Sequence, residues 1–298
     1  MTGLFDPRQV RRAFSRASDS YDAAASLQHA VEARLLESLD YLDQRVPQVV
    51  LDLGCGPGRA AAAMQARWPG AQMIAMDLAL PMLRRAATPR DWRRPFARRP
   101  ARVCADARAL PLADGCVDVL FSNLCLQWIE DLPAAFAGFR RVLKPGGLLL
   151  CSTFGPATLQ ELRDAFAHAD AIAPHVSPFA SIAQFGDALM QAGFRDPVLD
   201  RDVTVSAYQD VPALMRELRA IGATNALARR RRTLTGRARF RAAAEAYETE
   251  RGADGSLPAS WELITAMAWA PEPGTPIRVG GVDEVRVPAS KIRIRQRP

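Results

Sequence analysis

The residues Leu51-Asp52-Leu53-Gly54-Cys55-Gly56-Pro57-Gly58 follow a short apolar run and precede an Ala-rich stretch that continues through Arg67. Glycine has no Cβ and takes positive φ at little cost, so such a loop brings backbone N–H groups against a ligand. Three carboxylates stand at matching points along the chain. Asp52 opens the loop, Asp77 closes the next apolar run (Gln72 to Asp77), and Asp106 follows Arg102-Val103-Cys104-Ala105. A carboxylate at Asp52 suits a cationic amine and repels a dinucleotide pyrophosphate. Asp77 suits the two hydroxyls of a ribose, and Asp106 the amino group of an adenine. Each aspartate alone also suits a turn or a helix cap. Together they describe a site for S-adenosylmethionine (SAM), which joins an adenosyl group to a cationic amino acid.

The elements that must position these groups alternate. Val49 to Leu53, Gln72 to Asp77, Arg102 to Ala105, Val117 to Ser122 and Leu148 to Ser152 are expected strands, several of them apolar throughout. Helices are expected after the Gly-rich loop, over Pro81 to Ala87 and over Leu132 to Leu143, with Lys144-Pro145-Gly146-Gly147 ending the last. This order predicts an α/β fold with a parallel sheet covered on both faces. Pro7 to Asp43 shows helical spacing at Val10, Phe14 and Ala17 and again at Val31, Leu35, Leu36 and Leu39, so a two-helix cap is expected over 1–47. Ala183 to Ala192 reads as a helix, and Asp202 to Ala207 and Trp261 to Trp269 as strands. The core is then expected over 48–207 and 258–270. The Arg-rich helical stretch between the last two strands, 208–257, is long for a loop and reads as an inserted lid. A basic Pro/Gly-rich tail follows over 271–298; its alternations at Ile277–Val287 and Ile292–Ile294 suit an edge strand or disorder.

A chain of 298 residues, 49% of them hydrophobic, can bury a large core. No apolar run is long enough to span a bilayer, and the first residues lack the apolar stretch of a secretion signal, so a cytoplasmic protein is expected. The five cysteines form no CxxC pair and have no histidine at ligand spacing; they read as reduced and mostly buried, with no metal expected. The net charge of +7 is almost wholly arginine, since Lys144 and Lys291 are the lysines. Two arginine clusters, Arg84 to Arg102 and Arg229 to Arg241, suit either solvated faces or an acidic partner.

The loop and its three aspartates resemble the class I SAM-dependent methyltransferases over about Val49 to Ser152. The resemblance implies a Rossmann-like sheet ordered 3-2-1-4-5-7-6, strand seven antiparallel, with SAM across the carboxyl ends of strands one, two and four. It implies that Asp52, Gly54 and Gly56 meet the methionine part. Asp77 and Leu78 would hold the ribose with Met82 packed nearby, and Asp106 and Ala107 would read the adenine. Asn123, beyond strand four, would lie near the methyl group.

Beyond the core, Phe14-Ser15-Arg16-Ala17-Ser18-Asp19-Ser20-Tyr21-Asp22, Ala25 to Gln28, Ser122-Asn123-Leu124 with Gln127-Trp128, Leu159 to Leu162 and Leu218 to Asn225 are similar to the biotin-pathway malonyl-acyl carrier protein O-methyltransferases, the BioC family. That resemblance reaches about Ala270 and implies methylation of the free malonyl carboxylate on a phosphopantetheine thioester, with an acidic acyl carrier protein as partner. A carboxylate acceptor needs donors and no general base. Tyr21, Arg16, Gln28, Asn123, Gln127 and Trp128 are the first candidates to line its site, with His175 and Arg219 from the insertions. Phe154-Gly155, Glu161-Leu162-Arg163, His175 to Phe179 and Asp254 to Ala259 also resemble complex I assembly factors associated with arginine hydroxylation. A non-catalytic SAM-binding partner protein is a further alternative.

Overall fold

The structure is a computed structural model and describes residues 3–42, 45–86, 99–233, 235–272, 274, 277–279 and 282–284. Five parallel strands form its centre. They are β1 (Val49–Leu53), β2 (Gln72–Asp77), β3 (Ala101–Cys104), β4 (Val117–Ser122) and β5 (Leu143–Phe154). Two long strands, β6 (Arg195–Tyr208) and β7 (Leu257–Trp269), complete a seven-stranded sheet ordered β3-β2-β1-β4-β5-β7-β6. β7 runs antiparallel to both of its neighbours. The expected class I order is therefore the observed one.

β1 and β4 are buried along nearly their whole length, as strands at the middle of a sheet covered on both faces must be. Leu35, Leu39, Met64, Met73 and Phe121 pack on one face, beneath α3 (Ser26–Glu37) and α4 (Arg59–Arg67). On the other face Phe136, of α6 (Leu132–Val142), meets Phe185, of α8 (Ile182–Gln191), edge-on at 5.0 Å. Asp131 caps α6 by accepting from Ala134 N at 3.0 Å, and Ser181 with Gln184 forms a capping box on α8. Such caps fix where each helix starts, and so where the loops between strand and helix lie.

The structure tests several expectations. Lys144 to Gly147 follows the end of a helix as expected: α6 stops at Val142, and the link enters β5 through a register shift, with Gly146 at φ +68. β6 and β7 are longer than their apolar segments for different reasons. β6, the edge strand, alternates polar residues to solvent, while β7 continues through Ser260 and Glu262, which are buried and hydrogen-bonded to Glu161 and Thr158. Of the cysteines, Cys55 and Cys151 are buried and Cys104 is exposed; all five are free. In the tail, β8 (Ile277–Val279) pairs with β9 (Val282–Glu284) as a separate hairpin that does not join the main sheet. Residues 285–298, with the Ile292–Ile294 alternation, lie outside the described residues.

The N-terminal helices are α1 (Pro7–Ala17), α2 (Tyr21–Ala24) and α3. Asp6 caps α1 and also receives Arg230 at 3.0 Å. Between β6 and β7 the chain forms α9 (Val211–Ala220) and α10 (Arg237–Glu248). α10 packs on α7 (Gln160–Ala169), and both lie over the extended ends of β6 and β7 through Leu162, Phe166, Tyr247 and Trp261. Arg84 and Arg102 are described, but 87–98, most of the first arginine cluster, lie outside the described residues. Among the described residues no helix is long and apolar enough to cross a membrane, and no group of three His, Cys, Asp or Glu could hold a metal ion.

Candidate active site

Two cavities meet at the carboxyl ends of β1, β2 and β4. The smaller, about 100 Å³, is lined by Gly54, Gly56, Asp77, Leu78, Met82, Asp106, Ala107 and Asn123, together with Phe5, Pro7 and Val10 from the N-terminal arm. The larger, about 410 Å³, lies beneath α9 and the loop after α7. Phe14, Tyr21, Leu124 and Trp128 line both and form the junction.

The floor of the smaller cavity is backbone. Gly54 has φ +73, and a Cβ there would stand 2.5 Å from Cys125 Sγ, so only glycine lets this loop close over β4. Gly58, at φ +84, begins α4 against Ala86 Cβ, 2.7 Å from where its own Cβ would be. Asp77 holds the loop from the next strand, accepting from Gly56 N at 2.9 Å and Ala79 N at 2.7 Å. One lone pair on each of its oxygens remains for a ligand diol. Burial raises the Asp77 carboxyl, and the backbone N–H groups pull it back down.

Asp106 is held differently. Arg108 grips it with Nε at 2.9 Å and a terminal nitrogen at 2.5 Å, and the Arg108 backbone N–H adds a third bond at 3.0 Å. The guanidinium keeps this carboxyl below its ordinary range, and the free lone pair on Oδ2 can accept from an exocyclic amine. Arg108 was not among the sequence candidates; its signal was the two-residue spacing of an Asx turn. At the opposite end Asp52 is 2% exposed, and its Oδ2 has no hydrogen-bond partner. Burial and the charge of nearby Glu32 raise its pKa well above the carboxylate norm. The region thus offers a diol acceptor and an amine acceptor in the cavity and an unmatched acid in the adjoining recess, a set that fits SAM.

The junction is a strained turn. Leu124 has φ +46, a region rare for a side chain of its size, and is held from both sides. Its N–H donates to Ser152 Oγ at 3.0 Å, and its carbonyl accepts from Gln127 Nε2 at 2.7 Å. Ser152 Oγ also donates to Asn123 Oδ1 at 2.8 Å, while Asn123 Nδ2 reaches the Gln28 carbonyl on α3 at 3.0 Å. The amide of Asn123 and the amide nitrogen of Gln127 are thus engaged in building the turn, while Gln127 Oε1 is buried without a partner. Trp128 stands between the cavities, packed on Phe5 at 5.7 Å and edge-on to Phe14 at 5.5 Å. Tyr21 is half-buried, and its phenol is pushed up by desolvation and by the charge of Asp77, so it stays protonated.

Arg16 is corrected: it is exposed on α1 and lines neither cavity. The helix that buries Val10, Ala13 and Ala17 turns position 16 outward. Gln28, His175 and Arg219 do line the larger cavity. His175 stacks on Phe166 at 4.3 Å and its Nε2 lies 3.2 Å from Asp170 Oδ2. Asp170, a buried acid absent from the sequence candidates, also accepts a bidentate pair from Arg231 at 2.9 and 3.0 Å. Of the three arginines lining this cavity, Arg230 is paired with Asp6 and Arg231 with Asp170. Arg219 has no ion pair among the described residues.

Sheet order, glycine loop and carboxylates together define a class I SAM-dependent methyltransferase. A family described as "Methyltransferase domain" matches residues 51–151. The YcgJ protein of Bacillus subtilis aligns with a TM-score of 0.56 over 82% of this chain and 99% of its own, at 16% identity, a likeness of fold. A malonyl-[acyl-carrier protein] O-methyltransferase of Xylella fastidiosa is 60% identical over 100% of this chain and 99% of its own. That of Methylovorus sp. is 47% identical over 90% of each chain. The chain belongs to the malonyl-[acyl-carrier protein] O-methyltransferase family.

Proposed function

We propose that the chain uses SAM to esterify the free carboxylate of a malonyl group carried as a thioester on an acyl carrier protein, the activity named for its relatives. One observation carries the fit to this chemistry. Of the four side chains at the junction, only Tyr21 titrates, and burial keeps its proton on. His175 lines only the larger cavity and is not one of the junction residues. An amine or phenol acceptor would lack a base there, whereas a carboxylate is already ionised and nucleophilic at neutral pH.

SAM supplies, when bound, a methyl group activated by its sulfonium. The protein's part is then alignment and exclusion of water. Phe14 and Trp128 close the junction with apolar surface, and the Tyr21 hydroxyl is a donor for an acceptor oxygen. Arg219 is a counter-ion for the incoming carboxylate, since its two cavity neighbours are already neutralised.

For the carrier, the expected docking arginines narrow. Arg230 and Arg231 face inward to Asp6 and Asp170, leaving the exposed Arg229, Arg232, Arg237 and Arg239 beside the cavity mouth for an acidic surface. On this reading 208–257 serves as the substrate lid. A cytoplasmic setting accords with five free cysteines.

The test is incubation of the purified chain with methyl-labelled SAM and, separately, malonyl-carrier, malonyl-CoA and free malonate. Label should enter a methyl ester on the malonyl thioester, confirmed by product mass, with free malonate the poorest acceptor. Failure of every malonyl thioester overturns the acceptor assignment.

A further inference from the structure

Helix α3 brings polar side chains to the closed end of the cofactor cavity that no motif in the sequence marks. A recess there is lined by Tyr21, Gln28, His29 and Glu32 on one side and by Asp52, the glycine loop and Arg59 on the other. Glu32, with its side chain 14% exposed, accepts from Arg59 Nε at 3.3 Å. Arg59 itself is 54% exposed and sits at the start of α4. Asp52 Oδ2 is buried without a hydrogen-bond partner, and so is His29 Nε2, with Asp22 Oδ1 3.8 Å away.

The charges in this recess do not balance. Glu32 and Asp52 both line it, Asp77 stands close enough to Asp52 to raise its pKa, and the one guanidinium is largely in water. Buried carboxylates that repel one another are stabilised by a cation placed between them. The recess adjoins Gly54, Gly56 and Asn123, which also line the cavity that fits the adenosyl group. At this end of SAM the only fixed cation beyond the sulfonium is the α-ammonium, and the only anion is the α-carboxylate.

We propose that Glu32 and Asp52 receive the α-ammonium of SAM while Arg59 and His29 receive its α-carboxylate, so that α3 reads the amino-acid end of the cofactor. The proposal rests on the assignment of SAM to this cavity. It makes the N-terminal helices part of the cofactor site as well as its cover. His29 contributes as a neutral donor, because burial and the Arg59 charge lower its pKa. Glu32 contributes as an anion once a cation faces it, since burial is the main reason its pKa is raised.

The experiment compares two ligands on the full chain by calorimetric titration. S-adenosylhomocysteine carries the amino acid; 5′-methylthioadenosine keeps the adenosyl and thioether groups and lacks it. Glu32→Gln should weaken S-adenosylhomocysteine by about tenfold or more, the worth of a hydrogen bond to a charged group, and leave methylthioadenosine unchanged. Glu32→Asp should lose less. Arg59→Gln, at a side chain mostly in solvent, should give a smaller loss confined to the same ligand, and it decides the matter if the Glu32 variants do not fold. A parallel loss for both ligands would mean that α3 merely supports the loop and would overturn the proposal. Unchanged binding of S-adenosylhomocysteine in the folded variants would overturn it too. Failure of wild type to bind either ligand would instead overturn the cofactor assignment on which the proposal rests.

Discussion

The two cavities that share the Tyr21–Leu124–Trp128 junction are built in opposite ways. The cofactor cavity takes its floor from strand ends and the turns just after them, so Gly54, Asp77 and Asp106 sit where a parallel sheet always presents such groups. The larger cavity, proposed for the acceptor, takes only Phe154 and Trp261 from the strands. Its wall is assembled from α1, the turn after β4, the loop after α7, α9 and the strand β7, and ion pairs hold it together. One site is a property of the sheet, the other a property of contacts between distant segments. Changes in the first should therefore abolish cofactor binding, while changes in the second should act on the acceptor and leave the cofactor alone.

The largest effect is expected at Asp77. Asp77→Ala removes both loop-holding bonds and the diol acceptor, and should weaken S-adenosylhomocysteine about a hundredfold or more by calorimetry. Next, Arg219→Gln should raise KM for a malonyl thioester about tenfold, with S-adenosylhomocysteine affinity unchanged. A matching loss of cofactor affinity would show that the two cavities are not separable in this way.

Asp170→Asn should loosen the wall, lowering Tm by several degrees and raising the acceptor KM. The Asp170 carboxyl is held far below its usual range by Arg231, so the native state keeps this anion where the unfolded chain would protonate it. Its stabilisation is complete above the ordinary aspartate range and fades as pH falls through that range toward the folded-state value. The Tm gap between wild type and variant should be constant near neutrality and shrink below about pH 4; thermal melts from pH 7 to pH 3 would show it. The smallest effect belongs to the outer rim. Charge reversal at Arg229, Arg232, Arg237 and Arg239 should raise KM for the carrier-bound substrate a few-fold and flatten its salt dependence. A small malonyl thioester should be indifferent.

The same contrast explains how much the sequence disclosed. A glycine loop bounded by an apolar strand and a helix is a local pattern, and alternation of strands with helices implies a parallel sheet; the order of its strands came from the family resemblance. Arg108 was within reach, two residues from the aspartate it holds. Asp170 and Arg231 lie 61 positions apart, and neither has a local pattern that names the other. Arg16 was misplaced for a related reason: its neighbourhood resembled a family segment, but which face of α1 turns inward is settled by packing on α5 (Leu80–Arg85) and α9. Glu32 carries no local pattern that marks it; its place beside Asp52 and Arg59 arises only where α3 lies against the glycine loop.

Tyr208 and Leu257 are opposite one another at the last rung of the β6–β7 ladder. Everything between them leaves the sheet and returns to it at one point, so the inserted helices are, in chain terms, the loop of a very long hairpin. A loop whose ends are already side by side costs little to lengthen or shorten, because closing it is barely harder at greater length. Exchanging 209–256 for a shorter turn, or for the corresponding segment of another methyltransferase, therefore leaves every strand pairing of the sheet available. The pairing of the sheet does not depend on the length of that segment, whereas the core over α7 does, because Leu214, Ala243 and Tyr247 are buried there.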